Sequence, residues 1–452
     1  MWRSRRRWPA CCVQRAGPPV TDSFNSELTK LWAVNANDRS IVGLVMAAHA
    51  MVHTYELSIP VLIPIWLVEF DVLNLGLARF PVNEATLGAL VAVGYGLFGL
   101  GALPSGVLVD RLEARLLIVG CLLGMGASFF VLAVAPSPLG VGLALVVWGV
   151  AASVYHPSGL ALISRGVKQR GSAFAYHGMA GNAGIAGGPL VTILLLVLLD
   201  WRVVVALLAV PAVVAALAAV RVDIDERAAV SATDGGGRTS SDVSSVGDFL
   251  ADARVLFASA FVLVFVLTFF SGLYYRGVLT FLPALLGDFS LPSLDVGGRT
   301  FGAGDYVYVG LLTVGIVGQY AGGKLTDRFR PELGLFSGYG TLAVVAVLFL
   351  PAAVNGLPAL LAVAAMLGFF LFAVQPFYQA SVAEYTPPGK RGLSYGFTYL
   401  GVFGVGALGA VIAGTLLTYF TPEQLFLVLA GLAVGAATLG GYLSFRKPST
   451  DV

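Results

Sequence analysis

Apolar residues run along this chain in blocks of about twenty, separated by short polar stretches. The blocks fall at about 41–68, 86–109, 116–135, 139–163, 171–199, 201–220, 255–286, 306–325, 333–353, 358–383, 392–419 and 424–444. About twenty apolar residues in a helix cross the roughly 30 Å hydrocarbon layer of a bilayer. The stretch from Val255 to Ser271 has no charged side chain at all. The pattern therefore predicts an all-α membrane protein with twelve transmembrane helices.

Basic positions orient these helices. Twelve spans place both ends on one side, and 23 of the 27 Lys and Arg residues fall in the tails and loops of that side. Opposite lie Arg79, Arg202 and Arg299, while Arg276 falls inside a span. An excess of Lys and Arg marks the cytoplasmic side, so the expectation is a multi-pass protein of the cell membrane with both termini cytoplasmic. Residues 221–254 are rich in Asp, Ser and Gly, a composition that cannot bury a core. The expected organisation is a basic, disordered cytoplasmic tail (1–40), a first six-helix bundle (41–220), a cytoplasmic linker (221–254), a second bundle (255–445) and a short tail (446–452). The first tail lacks an apolar segment before residue 40 and makes a poor signal peptide.

Composition narrows the class. Charged residues are 12% and hydrophobic residues 57%, against roughly a quarter charged in soluble domains, which excludes a water-soluble globule. The 56 glycines favour helices packed backbone to backbone, as in membrane bundles. Cys11, Cys12 and Cys121 show neither metal spacing nor a disulfide framework. The run Gly235-Gly236-Gly237 lacks the Lys-Ser/Thr of a phosphate loop. No cofactor, metal or nucleic-acid partner is expected; the partners expected are the lipid bilayer, a small-molecule substrate and protons, with the chain a monomer.

The sequence repeats itself. Gly106 to Arg111 (GVLVDR) returns as Gly323 to Arg328 (GKLTDR), Tyr55-Glu56 as Tyr275-Arg276, His156-Pro157 as Gln375-Pro376 and Arg170-Gly171 as Arg391-Gly392, with offsets of 217 to 221. The two bundles therefore read as parallel repeats, pseudo-symmetric about an axis along the membrane normal. Such repeats hold a substrate site between them near the midplane.

These residues resemble the major facilitator superfamily over all twelve helices. The GVLVDR and GKLTDR loops are similar to its signature between helices 2 and 3. The resemblance implies that Gly106 and Gly323 let neighbouring helices touch, and that Asp110, Arg111, Asp327 and Arg328 form a conformational latch. A capped, solvated turn is the plainer alternative for each of these residues. Gly184, Gly188 and Pro189 resemble a helix 5 packing motif of proton-driven drug exporters, although Thr192-Ile193 stand where those exporters carry a glycine pair. With Tyr155-His156-Pro157, Arg170-Gly171 and Gly181-Asn182, they resemble the fosmidomycin-resistance branch of multidrug efflux. That resemblance implies a secondary transporter exporting small organic or drug-like compounds in exchange for protons.

Ionisable groups inside a membrane are functional candidates by default. All four histidines, His49, His53, His156 and His177, fall in predicted spans, as do Glu56 and Arg276. His49, His53 and Glu56 are four and three apart, on one stripe of helix 1. The stripe reads as a proton relay or as histidines bonded to neighbouring backbone. A metal there would need a further ligand, and the HExxH spacing is absent. Glu56 and Arg276 occupy equivalent places in the repeat, which suggests a charge pair across the central cavity, serving proton coupling or simply tying the halves. Tyr275, Gln375 and Gln379 are further cavity candidates, with His49, His156 and His177. The middle of helix 4, residues 143–153, lacks the Arg common in proton antiporters, so a facilitator or symporter for an organic anion stays open. An intramembrane metal-dependent enzyme is the rival from another class.

Overall fold

The computed structural model describes residues 36–229, 246–296 and 299–445. The expected N-terminal tail up to residue 35, residues 230–245 of the expected linker and the C-terminal tail lie outside the described residues. Among the described residues, twelve long helices run in sequence: α1 (Ala36–Glu69), α2 (Glu84–Val109), α3 (Ala114–Ala133), α4 (Pro138–Gly166), α5 (Arg170–Leu196) and α6 (Trp201–Arg221). Then come α7 (Phe261–Gly287), α8 (Ala303–Thr326), α9 (Pro331–Val354), α10 (Leu357–Tyr385), α11 (Gly392–Tyr419) and α12 (Pro422–Ser444). Eleven are long and apolar enough to cross a membrane. The other, α8, is less apolar because it carries Asp305, Gln319 and Lys324, yet its 24 residues reach about 36 Å at 1.5 Å per residue.

Local chemistry sets the ends and breaks. Thr86 N–H donates to Asn83 Oδ1 (3.0 Å) and Asn83 N–H to Thr86 Oγ1 (2.9 Å), closing a reciprocal cap on α2. Thr421 and Gln424 cap α12 the same way. Pro60 and Pro64 lie within α1, Pro189 within α5 and Pro376 within α10, where each removes a backbone donor. The helical run of α4 is interrupted at Val154, just before Tyr155-His156-Pro157, and α11 widens into a π-helical segment, Leu400–Val405, after its first two α-helical turns.

The helices pair in the same way twice. In the first half α1 packs on α5, α2 on α4 and α3 on α6; in the second α7 packs on α11, α8 on α10 and α9 on α12. Glycines make the first pairing possible in both halves. A Cβ on Gly184 would collide with the Ala50 carbonyl, and one on Gly188 would sit 2.6 Å from Thr54 Cα. Likewise a Cβ on Gly406 or Gly409 would collide with the backbone of α11 or of α7. The halves meet where α2 runs along α11 and α5 touches α8.

Three features depart from the sequence expectation. Residues 246–258 form a helix (Val246–Ala258), so the expected linker ends sooner than residue 254. The single span expected from residue 255 is interrupted at Ser259-Ala260, where Ser259 Oγ accepts from Phe261 N–H (3.2 Å). Two short antiparallel hairpins interrupt the all-helical pattern: β1 (Val72–Asn74) with β2 (Arg79–Pro81), and β3 (Leu294–Val296) with β4 (Arg299–Phe301). They follow α1 and α7, equivalent places in the repeat, and strands of three residues carry too little alternation to be read in advance.

Candidate functional site

Above the prolines of α1, its polar stripe faces inward. His49, His53, Glu56, His156 and Arg276 are all less than a tenth exposed, Glu56 and Arg276 at 1% each. Hydrogen bonds join His49, His53, Glu56 and Arg276 into one run from α5 through α1 to α7. His49 Nδ1 lies 2.7 Å from the His177 carbonyl oxygen, to which it can only donate. His49 Nε2 faces His53 Nε2 at 3.0 Å, and His53 Nδ1 meets Glu56 Oε2 at 2.6 Å. Glu56 Oε1 accepts from Arg276 Nη2, joining the two halves. A buried charge left alone costs several kcal/mol, so each of these two holds the other in place.

Aromatic residues complete the surroundings of the pair. The guanidinium carbon of Arg276 sits 3.6 Å from the centre of the Tyr95 ring and 5.4 Å from that of Tyr275, within cation–π range. Tyr95 O–H also donates to the Glu56 backbone carbonyl (2.9 Å). Nearby, Tyr308 of α8 donates to the Leu57 carbonyl (3.4 Å), a second tie between the halves. Sequence reasoning missed Tyr95, because an aromatic in an apolar helix looks like packing.

The four histidines gather in one place. The His177 ring stacks on His49 at 3.8 Å between centres, and His156 stands edge-on to His49 at 5.3 Å and to His53 at 5.8 Å. The break at Val154 opens the second part of α4 with Tyr155, whose O–H donates to the Val45 carbonyl (2.7 Å) and fixes His156 beside α1. A ring nitrogen on each of His49, His53 and His156 lies within 4.8 Å of those on the other two. A third ring nitrogen near the two of helix 1 thus comes from α4. His156 also packs against Tyr399 (4.9 Å) and Phe403 (6.0 Å) of the other half.

Other candidates lie apart. Gln375 is half-buried and Gln379 exposed on α10, and neither takes part in the run from His177 to Arg276. Gly106 and Gly323 do not bring helices together in this structure: an added Cβ would meet nothing within 4 Å at either. Arg111, Asp327 and Arg328 are exposed, and the Asp110 side chain lies outside the described residues. Tight backbone contact is found instead in the middle of α5, where Gly184 and Gly188 meet α1. Below the signature loop the start of α3 is held from elsewhere. Glu226, on the segment after α6, accepts from Ala114 N–H (2.9 Å) and Arg115 N–H (2.7 Å). Asp225 N–H donates to Asn37 Oδ1 (2.8 Å), tying the same segment to the start of α1.

Comparison with known proteins agrees with this architecture. Residues 33–354 and 264–452 match the family model described as Major Facilitator Superfamily. The chain is 27% identical over 330 residues to an MFS-type transporter of Bacillus subtilis named YfnC, covering 70% of this chain and 73% of that one. It is 25% identical over 357 residues to the gentisate transporter of Corynebacterium glutamicum, covering 77% and 76%. Among solved structures, a bacterial homologue of the lysosomal transporter Spinster in an inward-facing state aligns with a TM-score of 0.65 at 15% identity, over 91% of this chain and 97% of that one. A peptide transporter of the POT family gives 0.66 at 9% identity, over 89% and 96%. At these identities the structural likenesses establish the fold alone.

Proposed function

The chain belongs to the major facilitator superfamily, a family of membrane transporters, and on that premise we propose that it is a secondary active transporter whose gate is the Glu56–Arg276 pair. One observation carries the reading: two opposite charges, at equivalent positions of the two repeats and 1% exposed, meet across the halves. Alternating access requires the halves to separate on one side at a time. Separation at this seam breaks the pair, so anything that offers either charge another partner biases the exchange between states. An anionic substrate does this for Arg276.

The coupling ion proposed is the proton and the direction outward across the cell membrane, with both termini cytoplasmic. The support for these is the resemblance of α4 and α5 to proton-driven exporters and the distribution of basic residues. The cargo class is a small organic or drug-like compound. A second reading, a facilitator or symporter for an organic anion, is favoured by the buried Arg276 and by the relative named for gentisate. Family membership points to a transporter rather than to the intramembrane enzyme.

Liposomes holding a pH-sensitive dye, given phosphonates, hydrophobic cations and organic acids including gentisate, separate these readings. Substrate-evoked proton movement in wild type, lost in Glu56→Gln and Arg276→Lys, is the expected result. Substrate flux without proton movement selects the facilitator. Unchanged flux and unchanged proton movement in both variants reduce the pair to a structural tie and overturn its role as gate.

A further inference from the structure

The histidine cluster has features that the transport reading does not use. Both Nδ1 atoms on α1 face acceptors: His49 Nδ1 meets a backbone carbonyl oxygen and His53 Nδ1 a carboxylate that Arg276 also engages. Each Nδ1 therefore carries its hydrogen, and in the neutral rings both Nε2 atoms present lone pairs. Those lone pairs face each other at 3.0 Å. Two acceptors at hydrogen-bond distance need a cation between them. A proton would satisfy these two nitrogens, but it leaves His156 Nδ1, in a side chain only 7% exposed, without any hydrogen-bond partner. A metal ion engages all three rings.

We propose that His49, His53 and His156 form a transition-metal site between α1 and α4, of the class that takes zinc, cobalt or nickel. The outer contacts are those of metal-bound histidines, which donate their second ring N–H to a carboxylate or a backbone carbonyl and so fix the tautomer. Imidazole nitrogens select these ions over magnesium or calcium, which demand oxygen. Bonds of about 2.0–2.1 Å in tetrahedral geometry place ligand nitrogens roughly 3.3 Å apart. The His49–His53 pair needs to open by only a few tenths of an ångström, and His156 closes in from at most 4.8 Å. Three protein ligands leave a fourth position for water or an anionic group. Because His156 also touches Tyr399 and Phe403, the ion sits beside the seam of the two halves.

The test reads metal rather than flux, so it fails or succeeds separately from the transport proposal. The full-length protein, purified and stripped with a chelator, is titrated with Co²⁺ at neutral pH, and the visible ligand-field bands are followed. One equivalent of Co²⁺ with the intense bands of a tetrahedral site, displaced by Zn²⁺, is expected. His156→Ala and the bulkier His156→Gln both abolish the bands. His177→Ala keeps them, since its ring is outside the trio and its carbonyl remains. Glu56→Gln weakens binding by roughly 10–100-fold, as removal of an outer partner does. Elution profile and thermal unfolding show that each variant is folded, and the wild-type titration stands without them. Absence of stoichiometric Co²⁺ or Zn²⁺ binding in wild type overturns the site and leaves a shared proton between His49 and His53. Bands that survive in folded His156→Gln also overturn it.

Discussion

The two halves share a scaffold and differ in chemistry. In both, the pairings of helices are the same, and glycines of α5 and α11 press against α1 and α7. In both, a tyrosine near the charged residue anchors to a neighbouring helix: Tyr55 O–H donates to the Leu208 carbonyl (3.0 Å) and Tyr274 O–H to the Leu342 carbonyl (3.1 Å). Yet all four histidines, and the carboxylate Glu56 that pairs with Arg276, belong to the first half. At the repeat offset of about 220, His49, His53 and Glu56 correspond to Phe269, Leu273 and Arg276, and His156 to Gln375. At these positions the second half thus offers a permanent cation, a phenyl ring, an aliphatic side chain and an amide, while the first offers three imidazoles and a carboxylate. Duplication conserves what holds helices together, so departures from it mark where the halves acquired separate tasks.

The largest effect expected on this comparison comes from breaking the charge pair. Arg276→Gln strands a buried carboxylate and costs about 3–5 kcal/mol, read as a drop in thermal unfolding temperature and folded yield. The double variant Glu56→Leu with Arg276→Leu recovers most of that stability and yet abolishes transport, because it removes charge from both halves at once. A double variant that transports normally would erase the functional distinction between them. Next in size are the glycines of the shared scaffold. Gly184→Ala and Gly409→Ala each force backbones apart and cost about 1–3 kcal/mol. Gly106→Ala has open space and gains about 0.5–1 kcal/mol from helix propensity. Melting curves in one detergent decide whether the two halves respond alike. Smaller again is Tyr95→Phe, which keeps the ring beneath Arg276 and loses one hydrogen bond, about 0.6 kcal/mol at the average measured within membranes. Smallest is Gln379→Ala on α10, within about 0.5 kcal/mol, with substrate flux unchanged, since the side chain is exposed and outside the buried run.

How much of this was legible depended on how local each signal was. Twelve spans could be counted because each buries about twenty apolar residues in a row, and α8 was found despite Asp305, Gln319 and Lys324. The equivalence of Glu56 and Arg276 was visible as a repeat offset, and the spacing of His49, His53 and Glu56 as one helix face. What brings His156 to that face is the interruption of α4 at Val154 and the bond from Tyr155 to α1, neither of which has a sequence period. Tyr95 and Glu226 act on residues 39 and 112 positions away, and such contacts depend on the assembled bundle. The glycines of GVLVDR and GKLTDR misled in the opposite direction, since a familiar motif suggested contacts that open space replaces.

The close approach of α2 and α11 has a mechanical consequence. A Cβ on Gly99 would strike Gly404, and one on Gly414 the backbone of Glu84, while Thr418 Oγ1 accepts from Ala85 N–H (2.9 Å). Contact thus runs along most of both rods with little side chain between them. Rods that touch backbone to backbone cannot slide far without collision, but they can roll on the line of contact. For halves that rock as proposed, that line is a fulcrum, and the halves are levers about it. A few degrees of roll barely move Gly99 against Gly404, and the displacement grows in proportion to distance toward the far edge, where α5 meets α8.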